Sequence, residues 1–196
     1  PPGHHAEHNK AMGFCFFNNI ALAAAYAKKK YQVKRIAIVD FDVHHGNGTE
    51  DIINKQKGYL FCSTFQYPLY PFSGVEKKQG KTPRHIINTP LAATSTSDDF
   101  RQAIIQDWLP ALHKFQPDII FMSTGFDAHI EDNISQLSLT ESDYLWVTDT
   151  IKIIADKYAQ GRVISVLEGG YALNALGRCA VAHLQGLVNH NDINNR

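Results

Sequence analysis

The chain has 196 residues, 44% hydrophobic and 19% charged, and its 19 Lys+Arg balance its 19 Asp+Glu. That is the composition of one globular domain with a sizeable core. A zero formal charge excludes electrostatics as a general reason to bind nucleic acid or an anionic membrane, and no apolar run reaches the roughly 18 residues of a membrane span. The three cysteines, Cys15, Cys62 and Cys179, show no C-x-x-C spacing and cannot build a disulfide framework. A reducing, cytoplasmic setting is therefore expected.

In chain order, "PPGHHAEH" comes first, with the adjacent imidazoles of His4 and His5. An alanine-rich helix is predicted from Asn19 to Lys30. Its end carries the basic run "KKKYQVKR" from Lys28, cations that suit a solvated helix C-terminus. The strand "RIAIVDFD" follows, then a helix from Thr49 to Lys55 and the strand "YLFCSTF". Phe65 to Arg84 is too long and too rich in Pro and Gly for a simple connection, and long loops on compact domains are usually functional. Then come the strand "HIINTPL", a helix from Ser97 to Phe115 and the strand "DIIFMSTGFD". Thr140-Glu-Ser-Asp143, a capping box with Asp in place of Glu, opens a helix from Glu141 to Ala159. The strand "RVISVLEGG" and a helix from Leu173 to Val188 close the pattern.

These strands lack polar alternation, which predicts burial on both faces. Strand–helix alternation with no repeats or linker predicts a single α/β domain over residues 1–196: a three-layer α/β/α sandwich on a mostly parallel sheet. In such sheets ligands gather at the carboxyl ends of the strands. Those ends carry Asp40, Asp42, His44 and His45; then Asp127 and His129; then Glu168, Gly169, Gly170 and Tyr171.

Asp42 and His44 are two apart, so on an extended segment they point the same way. Asp127, leaving another strand, could meet them. Two carboxylates and one imidazole make a divalent-metal site with an open position, the mark of catalytic rather than structural zinc. Binuclear manganese hydrolases of the arginase type use Asp-x-His-x-Asp; here the last position is Gly46, which favours one ion. A neutral imidazole is the usual proton acceptor for a metal-activated water, and His4 and His5 supply two. Tyr171, after two glycines, presents a phenol that can donate to an oxyanion.

Together "PPGHHAE", "GFCFFNN", "DFDVHHGNGT", "STGFDAH" and "LEGGY" resemble the histone deacetylase superfamily, in the class II-like bacterial branch with the acetylpolyamine amidohydrolases, from Pro1 to about Leu187. The resemblance implies zinc held by Asp42, His44 and Asp127. His5 is then the general base and later the general acid, and His4 its electrostatic partner. Asp40 backs His4, Asn47 backs His5, and Tyr171 stabilises the transition state. Gly13 and Phe14 form one wall of an acyl-lysine tunnel and Tyr70 the opposite wall. A structural potassium ion near Asp40, Asp42, His44, Ser63 and Thr64 is also implied.

The activity implied is hydrolysis of N-acyl amides, chiefly acetyl, on lysine side chains, by a zinc-dependent deacetylase. The alternatives are an amidohydrolase of acetylated polyamines or other small molecules, and an inactive relative that binds acylated ligands or partners. An acylated lysine or polyamine is thus the expected partner, with neither nucleic acid nor membrane. Many relatives have His at Phe65 and Gly-Thr-Gly at Phe72-Ser73-Gly74, a loop expected to shape the tunnel rim. Family domains also carry strands and a substrate-gripping loop before PPGHHAE, so this chain is expected to be the carboxy-terminal portion of a larger domain, with an exposed apolar sheet edge.

His8, His85, His113 and His183 match no catalytic position and are expected to be structural or on the surface. His45 is expected to be buried beside the site, Glu168 to support it from behind and His129 to be a loop residue. Cys15 is expected to be buried rather than nucleophilic. "HHGNG" lacks the lysine of a phosphate-binding loop.

Overall fold

The computed structural model describes residues 1–75 and 85–188. After the opening segment, α1 (Asn19–Tyr31) leads to β1 (Ile36–Asp40), α2 (Asn47–Ile53), β2 (Tyr59–Gln66) and β3 (Ile86–Leu91). Then come α3 (Ser97–Ala103), a π-helical turn (Ile104–Trp108), α4 (Leu109–Phe115), β4 (Ile119–Thr124), α5 (Glu141–Ala159), β5 (Val163–Leu167) and α6 (Leu173–Val188). Of the long loop after β2, residues 76–84 lie outside the described residues.

Among the described residues five strands form one parallel sheet, in the order β3-β2-β1-β4-β5. β1 is buried throughout because its alternate side chains face two different layers. Ala37 and Val39 join a core with Phe100, Trp108, Tyr144 and Ile151 from the α3–α5 layer. Ile36 and Ile38 join a second core with Ile20 and Ala24 of α1. This is the expected α/β/α sandwich. The chain runs outward from β1 through β2 to β3, then returns to place β4 on β1's other side. The order therefore reverses between β1 and β4, and their carboxyl ends flank the crevice where such sheets bind ligands.

Two expectations are corrected. β3 and β5 are not buried on both faces: they are the sheet edges, and on β5 Ile164 is 42% and Leu167 52% exposed. An edge strand has one neighbour, which is also why Pro90 can sit in β3 without breaking a central ladder. The single helix expected from Ser97 to Phe115 is interrupted by the π-helical turn. Pro110 has no N–H for the carbonyl one turn back, and the widened turn ahead of it accommodates that loss.

The capping box forms as expected, with Thr140 N–H donating to Asp143 Oδ2 at 2.9 Å. Asp143 also accepts from Ser97 Oγ and Arg101 Nε, so one carboxylate joins the starts of α3 and α5. No helix among the described residues is long and apolar enough to cross a membrane.

His183 is structural and buried, between Thr148 Oγ1 at Nδ1 (2.7 Å) and Ser165 Oγ at Nε2 (2.8 Å). Burial lowers its pKa from 6.5 to about 4. The folded chain thus resists a proton that the unfolded chain accepts. Its contribution to stability is complete above pH 6.5 and is lost as pH falls toward 4. His183→Gln should flatten the fall in Tm across this window relative to the parent, measured by thermal unfolding at a series of pH values. An unchanged slope would remove His183 from acid sensitivity.

Candidate metal centre and catalytic pocket

Past β1 the alternation continues. Phe41 and Val43 turn into the core, which leaves Asp40, Asp42 and His44 on the opposite side. Asp127 arrives from the turn after β4, its Oδ1 accepting from Val43 N–H at 2.9 Å. One ligand atom each from Asp42, His44 and Asp127 lies within 4.8 Å of the others, and all three residues are buried. His44 Nδ1 stands 2.9 Å from Asp42 Oδ1 and 3.1 Å from Asp127 Oδ2. Among the described residues Asp127 Oδ2 nevertheless has no partner with hydrogen-bond geometry. A buried, under-satisfied carboxylate oxygen facing an imidazole and a second carboxylate is what a cation would complete.

Charge in the cluster points the same way. Burial opposes protonation of His44, but Asp127 and Asp42 outweigh it and push its pKa up to about 10. Burial, then Asp42, push Asp127 up to about 6. Burial also opposes ionisation of Asp42, yet His4 and His44 hold it below the usual carboxylate range. A proton on His44 thus stands where positive charge is wanted, and a divalent ion would displace it. Backbone closes the cradle. Gly169 N–H donates to Asp42 Oδ2 at 2.8 Å, and a Cβ there would come within 2.2 Å of Asp127 Oδ2.

Both histidines of the opening motif lie beside this cluster, their ring centroids 4.1 Å apart. Glu168 sets the segment by accepting from Gly3 N–H (2.6 Å), His4 N–H (3.0 Å) and Ser123 Oγ (2.8 Å). His4 Nδ1 meets Asp40 Oδ2 at 2.9 Å. His5 Nδ1 meets Asn47 Oδ1 at 2.7 Å, while the Asn47 amide nitrogen is turned to Glu7 Oε1 at 2.8 Å. With the amide oxygen toward His5, Nδ1 must carry the hydrogen, and Nε2 keeps its lone pair for a proton.

The two imidazoles are driven apart in charge. For His4, burial opposes the charge, but Asp40 and Asp42 raise the pKa well above the usual value. For His5, burial and then the positive neighbour His4 lower it to about 3. The two adjacent imidazoles are thus driven toward opposite charge states.

Above the cluster lies a cavity of about 520 Å³ whose lining includes Phe14, Leu69, Tyr70, Ile134 and Tyr171. Gly13 makes the wall possible. Its φ is +56°, and a Cβ would come within 2.3 Å of the His5 ring. Tyr70 is edge-on to His5, with centroids 5.1 Å apart, and Phe14 faces Tyr171 at 6.5 Å. Burial and then Asp127 and Asp42 raise the Tyr171 pKa, so the phenol keeps its proton at neutral pH.

The chain thus brings together His4, His5, Asp40, Asp42, His44, Asn47, Asp127, Gly13, Phe14, Tyr70 and Tyr171. Ser63 pairs with Asp40 across β1 and β2, and its buried Oγ has no hydrogen-bond partner among the described residues; Thr64 is buried next to it. Phe65 does not reach the rim but packs on His45, their ring centroids 4.7 Å apart. His45 is bound by Ser73 and Glu50. Cys15 is buried and donates to Gly13 O.

Pro2, Leu69, Ile134 and Asp132 were not singled out by sequence. Nothing in "HIEDNI" signals that Asp132 reaches Tyr171, 39 residues on. His129, Glu141 and Cys179 also cluster. However, His129 Nδ1 accepts from Glu131 N–H at 3.1 Å, which leaves Nε2 as an N–H facing Glu141 rather than a ligand.

A parallel sheet whose switch point holds a three-ligand cation cradle, paired imidazoles and an apolar pocket defines a class of site. Comparison with known proteins gives the family: residues 1–187 match the histone deacetylase domain, and the chain belongs to that family of hydrolases. It is 39% identical to "Type-2 histone deacetylase 2" of Dictyostelium discoideum, over 98% of this chain and 12% of that protein. It is 37% identical to the "Histone deacetylase-like amidohydrolase" of Pseudomonas aeruginosa, over 95% of this chain and 50% of that one. The crystal structure of the HDA15 HD domain superposes with a TM-score of 0.87 at 33% identity, covering 96% of this chain and 54% of that one. The chain thus spans about half the length of the latter two, and far less of the first.

Asn47→Asp should raise the His5 pKa by roughly one to two units, since a nearby anion favours the imidazolium. NMR titration of the imidazoles in metal-free protein measures this. A fall or no change would remove Asn47 as the group that sets the charge of His5.

Proposed function

We propose that this chain carries the catalytic centre of a zinc-dependent deacylase that hydrolyses N-acyl groups, chiefly acetyl, from lysine side chains. The observation that carries the reading is the gathering of Asp42, His44 and Asp127 at the floor of a pocket walled by Phe14 and Tyr70. When bound there, zinc supplies Lewis acidity to the acyl carbonyl and lowers the pKa of a water molecule.

The chain's own residues do the rest. Phe14 and Tyr70 flank the extended acyl-lysine stem and keep bulk water from it. His5 Nε2 takes a proton from the attacking water, with Nδ1–H anchored on Asn47. His4, positive against Asp40, keeps His5 neutral until that transfer. The Tyr171 hydroxyl donates to the oxygen on which negative charge develops. The imidazolium formed on His5 then protonates the leaving amine. Asp40, Asp42 and His44, with the unpartnered Ser63 Oγ and with Thr64, are proposed to hold a structural potassium ion behind the site.

An acetylated polyamine carries further ammonium groups that an acidic entrance would recognise. Among the described residues, Asp42 of the cation cluster is the one carboxylate that lines the pocket, which favours a lysine side chain. The half-exposed apolar residues of β5, and the greater length of the relatives, support the chain being part of a larger catalytic domain.

Chelation of zinc should abolish acetate release from an acetyl-lysine peptide, and readdition should restore it; unchanged release refutes metal catalysis. Tyr171→Phe should lower turnover by about 10² or more at equal zinc content, as loss of an oxyanion donor does. Acetylated spermidine should be hydrolysed with lower kcat/KM than the peptide, and the reverse order would favour the polyamine reading.

A further inference from the structure

The Tyr171 phenol is 44% exposed, and among the described residues its hydroxyl makes no hydrogen bond. It follows Gly169 and Gly170, and Gly170 has φ of +136°, so the preceding backbone is intrinsically permissive. Something else must fix where the phenol points. The side chain that reaches this backbone is Asp132, from the loop between Asp127 and α5. It is 5% exposed, and its Oδ2 accepts from Tyr171 N–H at 2.6 Å and Ala172 N–H at 3.0 Å. Its Oδ1 accepts from Ile134 N–H at 3.2 Å, and its own N–H donates to His129 O at 2.8 Å. Among the described residues no cation pairs with it. Three backbone amides converge on its carboxyl group.

We propose that Asp132 is a positioning residue for the reaction. By clamping the backbone at Tyr171 and Ala172 it aims the phenol at the acyl oxygen, and by the same carboxylate it sets Ile134 in the pocket wall. The loop carrying it starts at Asp127, so the clamp also references the phenol to the metal cradle. This rests on the proposed role of Tyr171 as oxyanion donor, and the test separates the two.

kcat and KM for an acetyl-lysine peptide, with zinc content, are measured for the parent, Asp132→Ala, Tyr171→Phe and the double variant. Misplacing a catalytic group by about 1 Å can lower rates by up to 10², so Asp132→Ala should lower kcat by about tenfold or more at unchanged zinc content. Against Tyr171→Phe the same change should lower kcat less than about twofold, because the hydroxyl it positions is gone. Asp132→Asn, which keeps one acceptor oxygen for the two amides, should recover part of kcat. Equal losses in both backgrounds would overturn the proposal, since a general structural effect does not depend on the hydroxyl. Undiminished kcat in Asp132→Ala would also overturn it. Should Asp132→Ala not fold, Asp132→Asn goes through the same cycle, with a smaller loss of kcat expected that disappears against Tyr171→Phe; equal losses in both backgrounds, or undiminished kcat, overturn the proposal. If Tyr171→Phe alone leaves kcat unchanged, the reading of Tyr171 fails first and this one with it.

Discussion

Burying acid at the carboxyl end of a parallel sheet is the constraint on which this structure depends. Asp40, Asp42, Asp127 and Glu168 are each at most 7% exposed and lie around one crevice. Carboxylates taken out of water are tolerated only when hydrogen-bonded or paired. Backbone supplies much of that, through Val43 N–H to Asp127, Gly169 N–H to Asp42, and Gly3 and His4 N–H to Glu168. Imidazoles supply the rest, at His4 and His44. What remains under-satisfied among the described residues is Asp127 Oδ2, and that gap in the bonding is where the candidate cation site lies.

The same buried charge separates two chemically identical neighbours. His4 faces Asp40 and Asp42 and holds a proton, while His5 faces a neutral amide and a positive imidazole and does not. The two rings leave the central positions of a turn closed by Ala6 N–H donating to Gly3 O, and each meets different partners. Adjacency in sequence therefore became opposition in environment.

The pocket is assembled from distant pieces. Pro2 and Phe14 come from the opening segment, and Tyr70, Ile134 and Tyr171 from the connections after β2, β4 and β5, four separate pieces at the carboxyl edge of the sheet. Loops can differ freely there because the strands beneath are held by two independent cores, one on each face. The departures at Phe72-Ser73-Gly74 fall in this layer, where Ser73 holds His45 rather than lining the pocket. Asp132 shows how a single buried carboxylate can link two such connections.

The sequence by itself determined the strand–helix alternation, the capping box at Thr140 and the shared side of Asp42 and His44. These rest on periodicities of two and 3.6 residues and on local hydrogen bonds, which a few neighbouring residues decide. The family motifs named the remaining site residues. Only the tertiary structure decided that β1 and β4 are neighbours, and so that Asp127 meets Asp42; that β3 and β5 are edges; that His183 is buried; and that Asp132 reaches Tyr171. Each of these depends on contacts between residues far apart in the chain, about which a local pattern of apolar and polar residues carries no information.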